Sequence, residues 1–258
     1  MGTSQFDLGG KVALITGGNG GIGLGMAEAI AHAGGDVCIW GTNADKNAAA
    51  LTQLEGHGVR TAAMLCDVSD EAAVERCFAD TVREFGCVDG CFANAGISGS
   101  GDAVPFIDIT TEAWRRVTSV NLDGAFFTLR AVSRHLVERG DGGRLVGTAS
   151  LAAISGAARN QHYAATKGGL ISMLIALSVE LARYEITANA ILPGWIETAM
   201  TEKAIAWEKF SDNVKPRIPM GRWGAPADFG GIAVYIMSDA SAFHTGDTFL
   251  IDGGYQKF

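Results

Sequence analysis

Short runs of β-branched and apolar residues recur along the chain, each followed by a longer stretch of helical pattern, and this alternation restricts the folds open to it. The runs are KVALIT at 11–16, DVCIW at 36–40, RTAAMLC at 60–66, CVDGCFA at 87–93, RLVGTAS at 144–150, ITANAIL at 186–192 and TFLID at 248–252. Between them lie stretches such as MAEAIAHAG, EAAVERCFADTVREFG and TEAWRRVTSVNLDGAFFTLRAVSRHLVERG. Repeated strand–helix–strand order with near-continuous apolar strands implies an α/β chain: a doubly wound parallel sheet of about seven strands with helices on both faces. In such a sheet ligands bind beyond the carboxyl ends of the strands, where strand order reverses. Residues just after each strand are therefore where chemistry is expected.

A length of 258 residues allows two small domains or one large one. Only five prolines, no charge block, no low-complexity tract and no repeat period mark a seam, so one domain over 1–258 is expected. The net charge of -8 disfavours a nucleic-acid partner, because phosphate binding needs clustered Lys and Arg. Cys38, Cys66, Cys77, Cys87 and Cys91 are odd in number and show no metal-ligand spacing, so core thiols in a reducing compartment are expected, and no metal. The opening MGTSQFDLGGK lacks a hydrophobic signal core and no apolar run reaches the ~18 to 20 residues of a membrane span, which reads as a soluble, cytoplasmic protein with no membrane partner.

The first strand runs into TGGNGGIG, Thr16 to Gly23. Gly18, Gly20 and Gly23 fit G-x-G-x-x-G, while Thr16-Gly17, Gly21 and Gly23 fit T-G-x-x-x-G-x-G, and the spacing leaves both registers open. In either, glycines let backbone amides approach a pyrophosphate resting on the N-terminus of the next helix, where the dipole favours an anion. Farther on, HYAATKGGLISML places Lys167 four residues after Tyr163, on the same face of a predicted helix. Alone, that pair is as readily an accident of packing; Asn121, mid-helix, is as readily a satisfied buried amide, and Ser150 a strand-end turn former.

Together these motifs resemble the short-chain dehydrogenase/reductase family, in its compact single-domain, Rossmann-type branch, and the likeness covers nearly the whole chain. Thr16–Gly23 looks like the family's cofactor turn, with Gly17, Asn19, Gly21, Ile22 and Gly23 as contacts. Asp67 and Val68 resemble its adenine contact, and Asn94-Ala95-Gly96 its N-A-G element, preceded by Ala93 where many members have a second asparagine. Asn121, Ser150, Tyr163 and Lys167 match its four catalytic positions; Pro193-Gly194 with Ile196 and Thr198 matches the element near the nicotinamide.

The resemblance implies an NAD(P)-dependent oxidoreductase that interconverts a secondary alcohol and a ketone by hydride transfer. Tyr163 would be acid/base, Ser150 would hydrogen-bond the reacting oxygen, Lys167 would reach the nicotinamide ribose, and Asn121 would hold a water for proton relay. A free phenol, pKa about 10, is a poor base at neutral pH, so Lys167 and a positive nicotinamide are expected to lower it. A hydrolase lacks support without a G-x-S-x-G elbow, and a non-catalytic cofactor sensor should have lost Tyr163 or Lys167.

An NAD enzyme usually places Asp or Glu at the end of the second strand, and an NADP enzyme a nearby base. Here Gly41, Thr42 and Gly20 hold those positions, leaving Thr42, Asn43 or Lys46 to make contact; because an unpaired buried phosphate is costly, NAD is favoured over NADP. Substrate selection falls to loops 97–106, 151–160 and 195–215, the last, carrying Trp207 and Phe210, reading as a lid or equally as a plain surface helix. His162 is a pocket or structural histidine. Surplus apolar residues on helices around 114–139 and 163–183 match those that pair between subunits in relatives, implying a homotetramer.

Overall fold

The computed structural model describes residues 5–99 and 104–258; positions 100–103 of the first substrate loop, and the first four residues of the N-terminal segment read above, lie outside them. Among the described residues, strands β1 (Val12–Thr16), β2 (Asp36–Gly41), β3 (Thr61–Leu65), β4 (Gly90–Ala93), β5 (Gly143–Thr148), β6 (Ile186–Pro193) and β7 (Thr248–Ile251) form one sheet in the order β3-β2-β1-β4-β5-β6-β7. Every pairing is parallel. The order reverses between β1 and β4, which opens the crevice there.

The strand sequences explain the layering. All five residues of β1 are buried, and with side chains alternating across the pleat Val12 and Leu14 join one core while Ala13 and Ile15 join the other. The first core is closed by α3 (Glu71–Phe85), α5 (Gly124–Arg139) and α7 (Gln161–Glu180), the second by α1 (Gly21–His32), α2 (Ala44–Leu54) and α10 (Gly230–Met237). Each fully buried Leu or Ile in these layers contributes about 1.5–3 kcal/mol. Trp40 at the end of β2 is fully buried and donates its indole N–H to Thr81 Oγ1 at 3.1 Å, so its one polar atom is satisfied in the core.

Between α4 (Thr111–Thr118) and α5 the chain stays helical but widens into a π turn over Ser119–Asp123. Remaining helices are short: α6 (Ala152–Ser155), α8 (Glu202–Ile205) and α9 (Glu208–Val214). No helix among the described residues is long and apolar enough to cross a membrane.

Candidate active site

The carboxyl ends of β1 and β4 are tied by two residues of the motifs. Thr16 Oγ1 accepts the backbone N–H groups of Asn94 and Ala95, both at 3.0 Å, and Asn94 Nδ2 returns bonds to the carbonyls of Thr16 at 3.0 Å and Gly17 at 3.3 Å. Asn94 therefore serves as a clasp across the reversal point. The backbone of the turn settles the glycine register. Gly17 and Gly21 have positive φ, 63° and 53°, and a Cβ on Gly23 would lie 2.3 Å from Gly17 O and 2.5 Å from Asn94 Nδ2. T-G-x-x-x-G-x-G is the register in force. Gly18 is a glycine for another reason, since its Cβ would lie 2.6 Å from Ile39 Cγ2.

A cavity of about 480 Å³ runs along these strand ends. Its walls include Gly17, Asn19, Gly21, Ile22, Thr42, Asp67, Val68, Asn94, Ala95, Gly96, Ser150, Tyr163, Lys167, Pro193, Gly194, Ile196 and Thr198. Three expected residues stand apart. Gly23 lies behind the turn and acts by permitting close approach; Asn43 caps α2, its side chain accepting Lys46 N–H at 2.9 Å; Asn121 is buried beneath the wall. Gly41 and Lys46, weighed above for the cofactor, also line it, and lining residues that the motifs did not single out include Trp40, Cys66, Ile97, Val120, Thr148, Met200 and Thr201. Many of them adjoin a strand end, which is the signal that could have found them. A wider hollow of about 810 Å³ lies at the opposite, amino ends of the strands, where Lys11 pairs with Asp239 and Arg139 with Asp89.

Ser150 sits two residues beyond β5 rather than closing it, and its Oγ accepts Ala152 N–H at 3.1 Å. Tyr163 and Lys167, one turn apart on α7, come together as their spacing requires: Lys167 Nζ lies 5.7 Å from the Tyr163 ring centroid and donates to Thr148 O at 2.7 Å. The Ser150 hydroxyl is near enough to the Tyr163 phenol to favour its ionised form. The chain's own groups do not lower the phenol as expected. Burial pushes it up, with the Ser150 hydroxyl opposing, while burial pulls the Lys167 ammonium down to about 8. A buried cation directed at a carbonyl is a weak lever on its neighbour.

The side-chain amide of Asn121 is engaged by the protein itself. Its Oδ1 accepts Ile97 N–H at 2.8 Å, and its Nδ2 donates to Ile97 O at 3.0 Å and Thr166 Oγ1 at 3.3 Å. Both ends of the amide are engaged, so it pins the loop after β4 to α7. A Cβ on Gly96 would come within 3.3 Å of both Asn121 Oδ1 and Lys167 Nζ, which keeps that position bare. His162 is fully buried, against Gly99. Within the 195–215 segment Phe210 sits edge-on to Trp195 at 4.8 Å and stacks on Trp223 at 6.3 Å, whereas Trp207 is exposed.

The residues present fit a dinucleotide. Helix α1 begins at Gly21 with Gly20 as an N-cap that makes no side-chain cap, so among the described residues its first N–H groups are unclaimed at the cavity, with glycines around them. Comparisons with known proteins agree. A family profile described as "Enoyl-(Acyl carrier protein) reductase" matches residues 17–256. A 2-dehydro-3-deoxy-D-gluconate 5-dehydrogenase of Dickeya dadantii is 36% identical, covering 98% of this chain and 98% of its own. A crystal structure of a Burkholderia cenocepacia gluconate 5-dehydrogenase in complex with NADP and tartrate superposes with a TM-score of 0.92 at 33% identity over 98% of each chain. That of an NAD+-bound xylitol dehydrogenase does so with 0.87 at 30%, over 96% of this chain and 99% of the other. With the sheet order, the clasped glycine turn and the Ser–Tyr–Lys group all in place, the chain belongs to the short-chain dehydrogenase/reductase family, oxidoreductases that interconvert alcohols and ketones.

Proposed function

We propose that this oxidoreductase acts on a secondary alcohol or ketone with a nicotinamide dinucleotide held along the strand ends, Tyr163 serving as acid/base. The observation that carries this reading is the gathering of Ser150, Tyr163 and Lys167 on one cavity wall, with Lys167 Nζ 5.7 Å from the Tyr163 ring centroid. The dinucleotide supplies hydride acceptance and donation. Tyr163 removes or returns the hydroxyl proton, Ser150 steadies the reacting oxygen as it gains charge, and Lys167 holds positive charge under both. Asn121 keeps the Ile97 loop against this group, which makes it a positioning residue.

The α1 N-terminus with Gly17, Asn19, Gly21 and Ile22 would hold the pyrophosphate, Asp67 and Val68 the adenine side, and Pro193, Gly194, Ile196 and Thr198 the nicotinamide side. NAD is favoured over NADP because no arginine lines the end of β2; Lys46, which does, lets NADP be tolerated. Residues 195–215 act as a lid, with Phe210 as its wedge between Trp195 and Trp223. The chain works as one domain and assembles as a homotetramer, supported by exposed Trp114, Phe126, Ile175 and Val179 on the helices concerned. Five free cysteines suit a reducing cytoplasm.

Tyr163→Phe should cut turnover by about 10²- to 10⁴-fold while dinucleotide binding measured by calorimetry stays nearly intact. Retention of activity within a few-fold would show that another group moves the proton. For the cofactor, kcat/KM with NAD should exceed that with NADP for one shared substrate; a tenfold preference for NADP, about 1.4 kcal/mol, would sink the assignment.

A further inference from the structure

Gly41 closes β2 with ordinary strand geometry, so its backbone does not demand a glycine. Its neighbours do. A Cβ there would fall 2.1 Å from Asn19 Nδ2 and 2.5 Å from Asn47 Oδ1, and those two amides are hydrogen-bonded to each other at 2.7 Å across the glycine. The position that carries the acid in the usual NAD arrangement is thus filled by an amide bridge. The two solutions exclude one another by volume.

Asn47 is placed with unusual definition. It lies inside α2, where asparagine is a poor helix former, and is only 6% exposed. Its Nδ2 donates to Gly41 O at 3.3 Å and Met64 O at 3.2 Å, carbonyls near the ends of β2 and β3. Two carbonyl acceptors fix which end of the amide is nitrogen, so Oδ1 must face Asn19. Asn19 must then answer with Nδ2, and its own Oδ1, which has no partner among the described residues, is left as an acceptor on a residue that lines the cavity.

We propose that Asn47 is a positioning residue for cofactor recognition: through the bridge over Gly41 it holds Asn19 with its carbonyl oxygen presented to the ribose hydroxyl of an unphosphorylated adenosine. This rests on the dinucleotide reading of the cavity. A hydroxyl can donate to that oxygen, whereas a 2′-phosphate at neutral pH has essentially no proton to give. Because the acceptor is neutral, it favours the hydroxyl without the repulsion a carboxylate exerts on phosphate, and discrimination is mild. Without Asn47 the Asn19 amide is free to turn, and the acceptor is no longer pre-set.

Calorimetric titration with ADP-ribose and with its 2′-phosphorylated form tests this on the intact protein and on Asn19→Ala, Asn47→Ala and the double variant. Each single change should weaken ADP-ribose binding by about five- to tenfold, the size of one hydrogen bond, and the double variant no more than either single one. Binding of the phosphorylated form should change by less than about twofold. In turnover the KM for the dinucleotide should rise while kcat falls by no more than about twofold. Asn47→Ala disturbs a buried site, so melting temperatures accompany the titrations; Asn19→Ala, at the cavity wall, leaves the two strand carbonyls their partner. Additive losses, or a lower melting temperature with the ratio of the two Kd values unmoved, would overturn the proposal. An unaltered protein that binds neither nucleotide would overturn the dinucleotide reading and the proposal with it.

Discussion

Lys167 shows the conflict between stability and chemistry at a single side chain. Its folded pKa, about 8, lies below the ordinary 10.5 because the ammonium is desolvated. Between these values the unfolded chain binds more protons than the folded one, so this group makes stability rise with pH across that window and its penalty is fully present below pH 8. Removing the charge should relieve roughly 3 kcal/mol, at the upper end of the about 1.5–3 kcal/mol of the charged bond lost at Thr148 O. Lys167→Met is therefore expected to melt higher than the parent at pH 7, with the gap shrinking toward pH 10.5, and to be inactive; thermal melts of both proteins across that range decide it. A lower melting temperature at every pH would show that the bond outweighs the desolvation. Gly23 is the opposite case, a residue with no chemistry of its own. Gly23→Ala should cost about 1–3 kcal/mol by chemical denaturation and weaken ADP-ribose binding, since the added carbon meets the Gly17 carbonyl and Asn94 together.

Among the elements, the π turn at Ser119–Asp123 has the most consequence for the site. It carries Asn121, whose amide supplies three bonds reaching the loop after β4 and α7. Asn121→Ala leaves the N–H and C=O of Ile97 without these partners, each loss worth about 1–3 kcal/mol where water cannot replace them. Faster amide exchange at Ile97 and a loss of turnover are expected, with ADP-ribose binding retained. Unchanged exchange there would mean the loop is held by other contacts. Small residues on α7 make the approach possible: Gly169 lets Leu122 sit close, a Cβ there being 3.3 Å from Leu122 Cδ1.

For the whole molecule, exposed Trp114 and Phe126 on α4 and α5, with Ile175 and Val179 on α7, leave apolar surface that a net charge of -8 does not cover. Sedimentation at micromolar concentration should give roughly four times the 26.9 kDa chain mass. A monomeric mass would reject the tetramer and leave that surface to another partner.

The parallel sheet, its strand positions to within three residues, the glycine turn and the Tyr163–Lys167 pairing were legible in the sequence, because each depends on periodicity or spacing within one element. The tertiary structure decided what depends on residues far apart. The Asn94 clasp on Thr16 spans 78 positions, and the left-handed backbone of Gly17 and Gly21 beside it selects between two glycine registers that spacing left equal. The Asn19–Asn47 bridge spans 28 and gives Gly41 a reason that neither residue states by itself. Asn121 has the right identity for a catalytic position, yet its work is set by which backbone groups the fold brings within 3 Å of its amide. Apolar burial is read one residue at a time along a repeating pattern, whereas a buried polar group is defined by its partner, and partners are chosen by where the strands end.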